Sequence, residues 1–210
     1  MHRLLHILAL TSSVLLHPLL MPTYGMVLYC GALRLLHPEL TAAYSIVAII
    51  GTIVLTLFIP ASIILFLWQT HRISSLHIDD PKQRTSPYVY TIVAYGFWAY
   101  FIHDILHLPL FMLLIAIGAI IALAAVTLIN HWWKISAHLT GIGGLLGGIC
   151  CFAMQYAQLP FIWATLVLAC SLILMYARLY LNAHTPLQVI TGLLLGLLSV
   201  FLPNFISIYA

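Results

Sequence analysis

Charged side chains are nearly missing from this chain: of 210 residues, seven are Lys or Arg and four are Asp or Glu. A water-soluble domain has roughly a quarter of its residues charged, so a soluble globular fold is excluded. There is no basic run or tail, which removes the usual electrostatic footprint of a nucleic-acid partner. Paired cysteines are also lacking. Cys30, Cys150, Cys151 and Cys170 lie in apolar stretches without Cys-x-x-Cys spacing, and they read as small packing residues. No small-x-small cleavage site follows the apolar N-terminal run, so the first helix is expected to be retained.

What the chain has is apolar length. Segments near 43–69, 88–106, 109–130, 139–157, 160–181 and 186–206 each suffice to cross a bilayer, which takes roughly 20 residues. Unbroken runs of this kind, without ten-residue alternation, point to helices and away from a barrel. The fold expected is therefore all-α, a polytopic integral membrane helical bundle. Upstream, Leu4 to Leu36 is interrupted by His17-Pro18 and Met21-Pro22. Proline removes a helical hydrogen bond and disfavours helix just before it, so this region is either one broken span or a re-entrant pair. The division that follows is a hydrophobic N-terminal region over 1–42 and a six-span core over 43–210. Leu-Leu-His-Pro occurs at 15–18 and again at 35–38, but two short copies do not make a repeat architecture.

Counting crossings assigns the polar clusters to sides. The loop from His71 to Ser86 precedes the span at 88–106. His131 to His138 comes two spans later, and Arg178 to Gln188 two spans after that. An even number of crossings returns the chain to the same surface, so all three clusters share one working face. The opposite loops, near 37–42, 107–109 and 158–160, are short and nearly uncharged. Gly143 and Gly147, Gly144 and Gly148, and Gly192 and Gly196 are each four apart and line helix faces suited to close packing. The helices so packed carry His138 and Gln188.

The chemistry-bearing residues gather at those mouths. Arg178 ends one span and His184 immediately precedes the next. Thr185-Pro186-Leu187-Gln188 reads as a helix start, with Thr as N-cap, Pro first and Gln closing a capping box. His184 then lies beside a helix N-terminus, where free amides and the dipole favour a bound anion. His138 has a similar place, with Ser136 as cap and Lys134 a turn earlier. Interfacial histidines commonly just sit among headgroups, and terminal charges commonly anchor a span. The significance lies in the combination of two histidines and an arginine at membrane mouths, which suits a phosphate site without a metal.

Arg178, five residues, His184, three residues and Gln188 resemble the Arg-x5-His-x3-Asp element of the type 2 phosphatidic acid phosphatase (PAP2) superfamily, except at the last residue. Ser136-Ala137-His138 is similar to that family's Pro-Ser-Gly-His element, keeping Ser and His. The resemblance runs from Lys134 to Gly196, roughly the last third of the chain. Upstream it is loose: Lys82, Arg84 and Pro87 stand for the family's Lys-x6-Arg-Pro, with His77 an alternative occupant of the lysine slot.

The resemblance implies a PAP2-like core and a metal-independent lipid phosphatase or pyrophosphatase needing no cofactor. His184 would be the nucleophile that forms a phosphohistidine and His138 the general acid. Arg178, Arg84 and Lys82, with Ser136 and Lys134, would hold the phosphate. Substrates would be a membrane lipid phosphate or polyprenyl pyrophosphate. The family's aspartate stabilises positive charge on the nucleophile. Gln188 can accept the same hydrogen bond but brings no charge, so another carboxylate (Asp79 or Asp80), a slow enzyme or a binding relic is implied. Asp104 and Glu39 fall on the far side by the same count of crossings.

Three rivals follow from the residues. His103 and His107, four apart on one helix, could begin a metal or haem site, but they fall on the side away from His138 and His184. A non-catalytic lipid-phosphate binder would keep the pocket and lack turnover because of Gln188. A transporter has no inverted repeat to support it. As for location, the cytoplasmic (inner) membrane is expected. His71, Arg72, Lys82, Arg84 and Lys134 favour a cytoplasmic polar face, whereas the resemblance favours a periplasmic or extracellular one, which is adopted here.

Overall fold

A computed structural model describes residues 2–36, 41–76, 81–156 and 161–209, without side chains at a few segment ends. Glu39, His77, Asp79 and Asp80 lie outside the described residues, and Lys82 is described in its backbone alone. Among the described residues the chain is helical, with turns and no strand. Nine α-helices form: α1 His2–Leu15, α2 Met21–Leu36, α3 Ala42–Ile53, α4 Ile59–Gln69, α5 Thr85–Tyr100, α6 Leu110–Ile129, α7 Ala137–Tyr156, α8 Phe161–Tyr180 and α9 Pro186–Tyr209.

Among the described residues, five helical stretches have the length and apolarity to cross a bilayer: Ala42–Gln69, Leu110–Ile129, Ala137–Tyr156, Phe161–Tyr180 and Pro186–Ile208. The first joins α3 to α4 through a π-helical turn, Val54–Phe58. That turn sits just before Pro60, whose missing N–H breaks the regular ladder. The helix expected over 88–106 also forms, as α5 running into a second π turn, Phe101–Ile105. It falls outside the five because Tyr88, Tyr90, Tyr95 and Tyr100 dilute its apolar content. The protein is thus an all-helical, membrane-embedded bundle, with large apolar side chains such as Phe58, Phe97, Ile162 and Leu172 facing outward.

The N-terminal region is a bent pair: Arg3–Leu15 and Pro18–Arg34 meet at 42°. The break has a local cause. His17 is extended, as a residue before proline prefers, and its Nδ1 accepts from the Leu19 amide at 3.3 Å, capping the short 3-10 turn Pro18–Leu20. The pair is not a separate body, since α1 packs on α8 and α2 on α7 and α3.

The tightest packing joins α7 to α9, and glycine is its cause. A Cβ at Gly192 would stand 2.7 Å from the Ser136 carbonyl, and one at Gly147 would stand 2.7 Å from that of Leu197. Gly143 and Gly196 are closed against opposing backbone in the same way. Gly144 and Gly148 differ. A Cβ at Gly148 would meet only Ile115 Cδ1, at 3.8 Å, an ordinary contact. A Cβ at Gly144 would meet Val200 Cγ2 at 3.4 Å and the Gly196 carbonyl at 3.8 Å, also ordinary contacts. One glycine row of α7 therefore packs backbone to backbone on α9, and the other lines an interior space.

Candidate functional site

The site is assembled at helix ends by local rules. α8 ends with Asn182 in the left-handed region, at φ 51°. The Asn182 amide donates to the Leu179 carbonyl at 3.0 Å, and the Ala183 amide to the Arg178 carbonyl at 3.1 Å. These two bonds make a Schellman stop, for which Asn is a tolerated substitute for Gly. They fix His184 closely in space relative to Arg178, which occupies the last turn of α8.

α9 then begins as its sequence predicts. The Gln188 amide N–H donates to Thr185 Oγ1 at 3.4 Å, and the Thr185 N–H donates back to Gln188 Oε1 at 3.1 Å. That reciprocal pair is a capping box. It has a further consequence, because Gln188 Oε1 also lies 3.2 Å from Nδ1 of His184. The Thr185 amide can only donate, so the group facing it is the carboxamide oxygen. The same oxygen accepts a hydrogen bond from His184 Nδ1–H, leaving the lone pair on Nε2.

α7 starts beside it. Ser136 Oγ accepts from the Leu139 amide at 3.5 Å, and the Ser136 backbone N–H donates to the Gln188 carbonyl at 3.4 Å, tying the two helix mouths together. Ser136 is fully buried and caps α7; it is not on the cavity wall, whereas His138, in the first turn of α7, is. His138 Nε2 lies 3.2 Å from the Ser13 carbonyl. A carbonyl only accepts, so this nitrogen carries a proton. Arg178 Nη1 donates to Ser13 Oγ at 3.4 Å.

His17, Arg84, His138, Arg178 and His184 all line one cavity of about 280 Å3. Three polar clusters assigned to one face by counting crossings thus meet at one mouth. Of the other predicted residues, Gln188 is half-buried under His184, and Lys134 is half-buried and close enough to act on His184 by charge. Burial and the Arg178 guanidinium hold His184 down to about 4, with smaller pushes from Lys134 and Arg84; the Gln188 bond works the other way. At neutral pH its imidazole is uncharged.

Two residues of the site were not foreseen. His17, on the cavity wall, stands edge-on to His138, ring centroids 5.4 Å apart, and Ser13, behind it, holds both His138 and Arg178. The break at His17-Pro18 was visible in the sequence, but its partners lie more than a hundred residues away. Among the described residues, no three His, Cys, Asp or Glu side chains group as metal ligands would. His103 and His107 do not line the cavity. Compared with known proteins, the chain matches no family, no curated protein and no solved structure.

Proposed function

We propose that the protein hydrolyses the phosphate of a membrane lipid through a phosphohistidine on His184, in the manner of the type 2 phosphatidic acid phosphatases. The observation that carries this reading is the tautomer of His184: an uncharged ring with its lone pair on Nε2, in the same cavity wall as Arg178, Arg84 and His138.

In this reading the two guanidinium groups take the phosphoryl oxygens, where charge spreads in the transition state. His184 Nε2 forms the P–N bond as the P–O bond to the lipid breaks, and His138 gives its proton to the leaving oxygen. Because Nε2 of His138 is on the Ser13 carbonyl, the transferred proton sits on Nδ1. The phosphate dianion favours that doubly protonated ring. Water then attacks phosphorus, the P–N bond breaks, and His138 takes back a proton. Gln188 holds the geometry of the nucleophile without stabilising its positive charge, which makes the enzyme slow. Substrate classes that fit are phosphatidate-type lipids, polyprenyl pyrophosphates and glycolipid phosphates. The mouth faces the periplasm or cell exterior from the cytoplasmic membrane.

Gln188 is also the specific observation that favours a second reading, a lipid-phosphate binder without turnover. Phosphate release from a panel of lipid phosphates, with chelator present and beside His184→Ala, separates the two. Release that survives the chelator and vanishes in the variant supports the enzyme. Binding without release supports the binder.

A further inference from the structure

The cavity does not stop at the phosphate mouth. On α7 its lining runs from His138 through Gly144 and Gly148 to Phe152. Fourteen residues of helix cover about 21 Å, well over half of a hydrocarbon core of about 30 Å. The neighbouring helices agree in direction. Arg84 and then α5 line it as far as Trp98, α6 in reverse from Val126 to Phe111, and α2 down to Tyr29 and Ala32. The helices therefore share one direction, with Arg84 and His138 at one end of the cavity and Tyr29, Trp98, Phe111 and Phe152 at the other.

The far end is closed by rings. Phe111 contacts Tyr29 and Tyr156 at centroid distances of 5.7 and 5.9 Å, and Tyr156 contacts Phe152 at 4.6 Å. A space of about 280 Å3 drawn out over such a length is narrow. It suits one flexible chain and not a headgroup or a pair of acyl chains. Between mouth and floor the wall is mainly glycine, alanine, aliphatic and aromatic side chains. The Thr91 and Thr140 hydroxyls on it already donate to the Pro87 and Ser136 carbonyls, and Trp98 Nε1 donates to Thr52 Oγ1, which leaves little to hold a polar ligand. Gly144 and Gly148 keep α7 from filling it, and unlike Gly143 and Gly196 they are not needed for backbone approach.

We propose that this is a channel for a single hydrocarbon chain of the lipid phosphate, drawn inside the bundle between α2, α5, α6 and α7, with Phe111 and Phe152 as the floor that sets chain length. The proposal rests on the reading of the mouth as a phosphate site, and it adds that the substrate is chosen by its chain. Measured from alkyl phosphate free in water, each methylene that fits within the channel strengthens binding by up to about fourfold, and methylenes beyond the floor add little.

The test uses purified protein and a series of linear alkyl phosphates, one bearing a terminal diazirine. Irradiation should label the floor, on α6 near Phe111 or α7 near Phe152, and unlabelled alkyl phosphate should compete. Gly148→Leu, which fills the channel without moving backbone, should abolish floor labelling and shift the best-bound chain to shorter lengths. The long-chain Kd should rise at least about tenfold. Gly148→Ala, should the larger variant fail to fold, should shift the same profile by less. Labelling of outward residues such as Leu128 or Leu194, a chain-length profile unmoved by both variants, or equal floor labelling by the corresponding diazirine alcohol would each overturn the proposal. Labelling is read without turnover, so an inactive protein with a labelled floor sinks the enzyme reading alone, and an active one without it sinks the channel alone.

Discussion

The ring of His138 donates from Nε2 to the carbonyl oxygen of Ser13, 3.2 Å away across 125 positions of sequence. The donor is at the mouth of α7, and the acceptor is near the end of α1, in a region that the sequence sets apart as an N-terminal extension. The same Ser13 accepts from Arg178, and His17 stands edge-on to the His138 ring. The bent N-terminal pair is thus a wall of the candidate site.

From this contact follows the first prediction. His17→Ala removes the ring that braces His138 while leaving Arg178 and His184 in place. Phosphate release should fall roughly ten- to hundredfold, as expected when an acid loses its alignment, with KM little changed. Steady-state kinetics on a lipid phosphate measures both. An unaltered rate would show that the Ser13 carbonyl alone orients His138.

The pair His184 and Gln188 supports a second. Gln188→Asp keeps the acceptor on Nδ1 and adds the missing charge, so turnover should rise, by as much as several orders of magnitude. The His184 titration midpoint should move upward with it. Gln188→Ala removes the acceptor and part of the capping box, and turnover should drop. An NMR titration alongside the rate assay reads both effects, and a rate indifferent to Asp would mean that His184 is not the nucleophile.

The third concerns pH. The folded state holds His184 at about 4, below its ordinary value near 6.5. The unfolded chain therefore binds more protons between those values. The contribution of this group to stability is full above about 6.5 and is lost as pH falls through 4. For the reaction, the uncharged nucleophile persists down to about pH 4, so this group should not limit kcat/KM between pH 5 and 7. Arg178→Ala removes the second cause of the shift and should move the acid limb of the rate profile upward. A limb that stays put in that variant would sink the assigned role of Arg178.

A fourth prediction distinguishes glycines. Gly196→Ala drives a methyl into the Thr140 backbone and should destabilise the bundle by about 1–3 kcal/mol or more. Gly31→Ala meets nothing within 4 Å and should be neutral or slightly stabilising. Thermal unfolding in detergent compares them, and equal shifts would contradict the packing described.

The fifth is topological. Ser74 is exposed in the polar loop that precedes α5, and its amide and hydroxyl both bond Gln83. Ser74→Cys should react with a membrane-impermeant maleimide in intact cells if the mouth faces outward. Reaction only after permeabilisation would place the mouth in the cytoplasm, as the positive-inside pattern favours.

Much of this was legible in one dimension because it obeys local rules. Apolar length marks the spans. The Thr185–Gln188 box and the Ser136 cap are read from neighbours three residues apart, and both are found. Asn182 could have been read too, since Asn after the last helical turn is a known stop. Gly144 and Gly148 share one spacing with Gly143 and Gly147, so periodicity could not tell the channel row from the packing row. Only the position of α9 decides which row is covered.

By itself the sequence determined the long apolar helices of the core, the caps of α7 and α9 and the expectation that Arg84, His138, Arg178 and His184 share one face, because length, capping and parity need no knowledge of neighbours. Tertiary structure alone decided that Ser13 and His17 join the site and that a narrow space runs from it to Phe152. These depend on contacts between segments distant in sequence, where many packings satisfy the same apolar pattern and only the assembled bundle selects one.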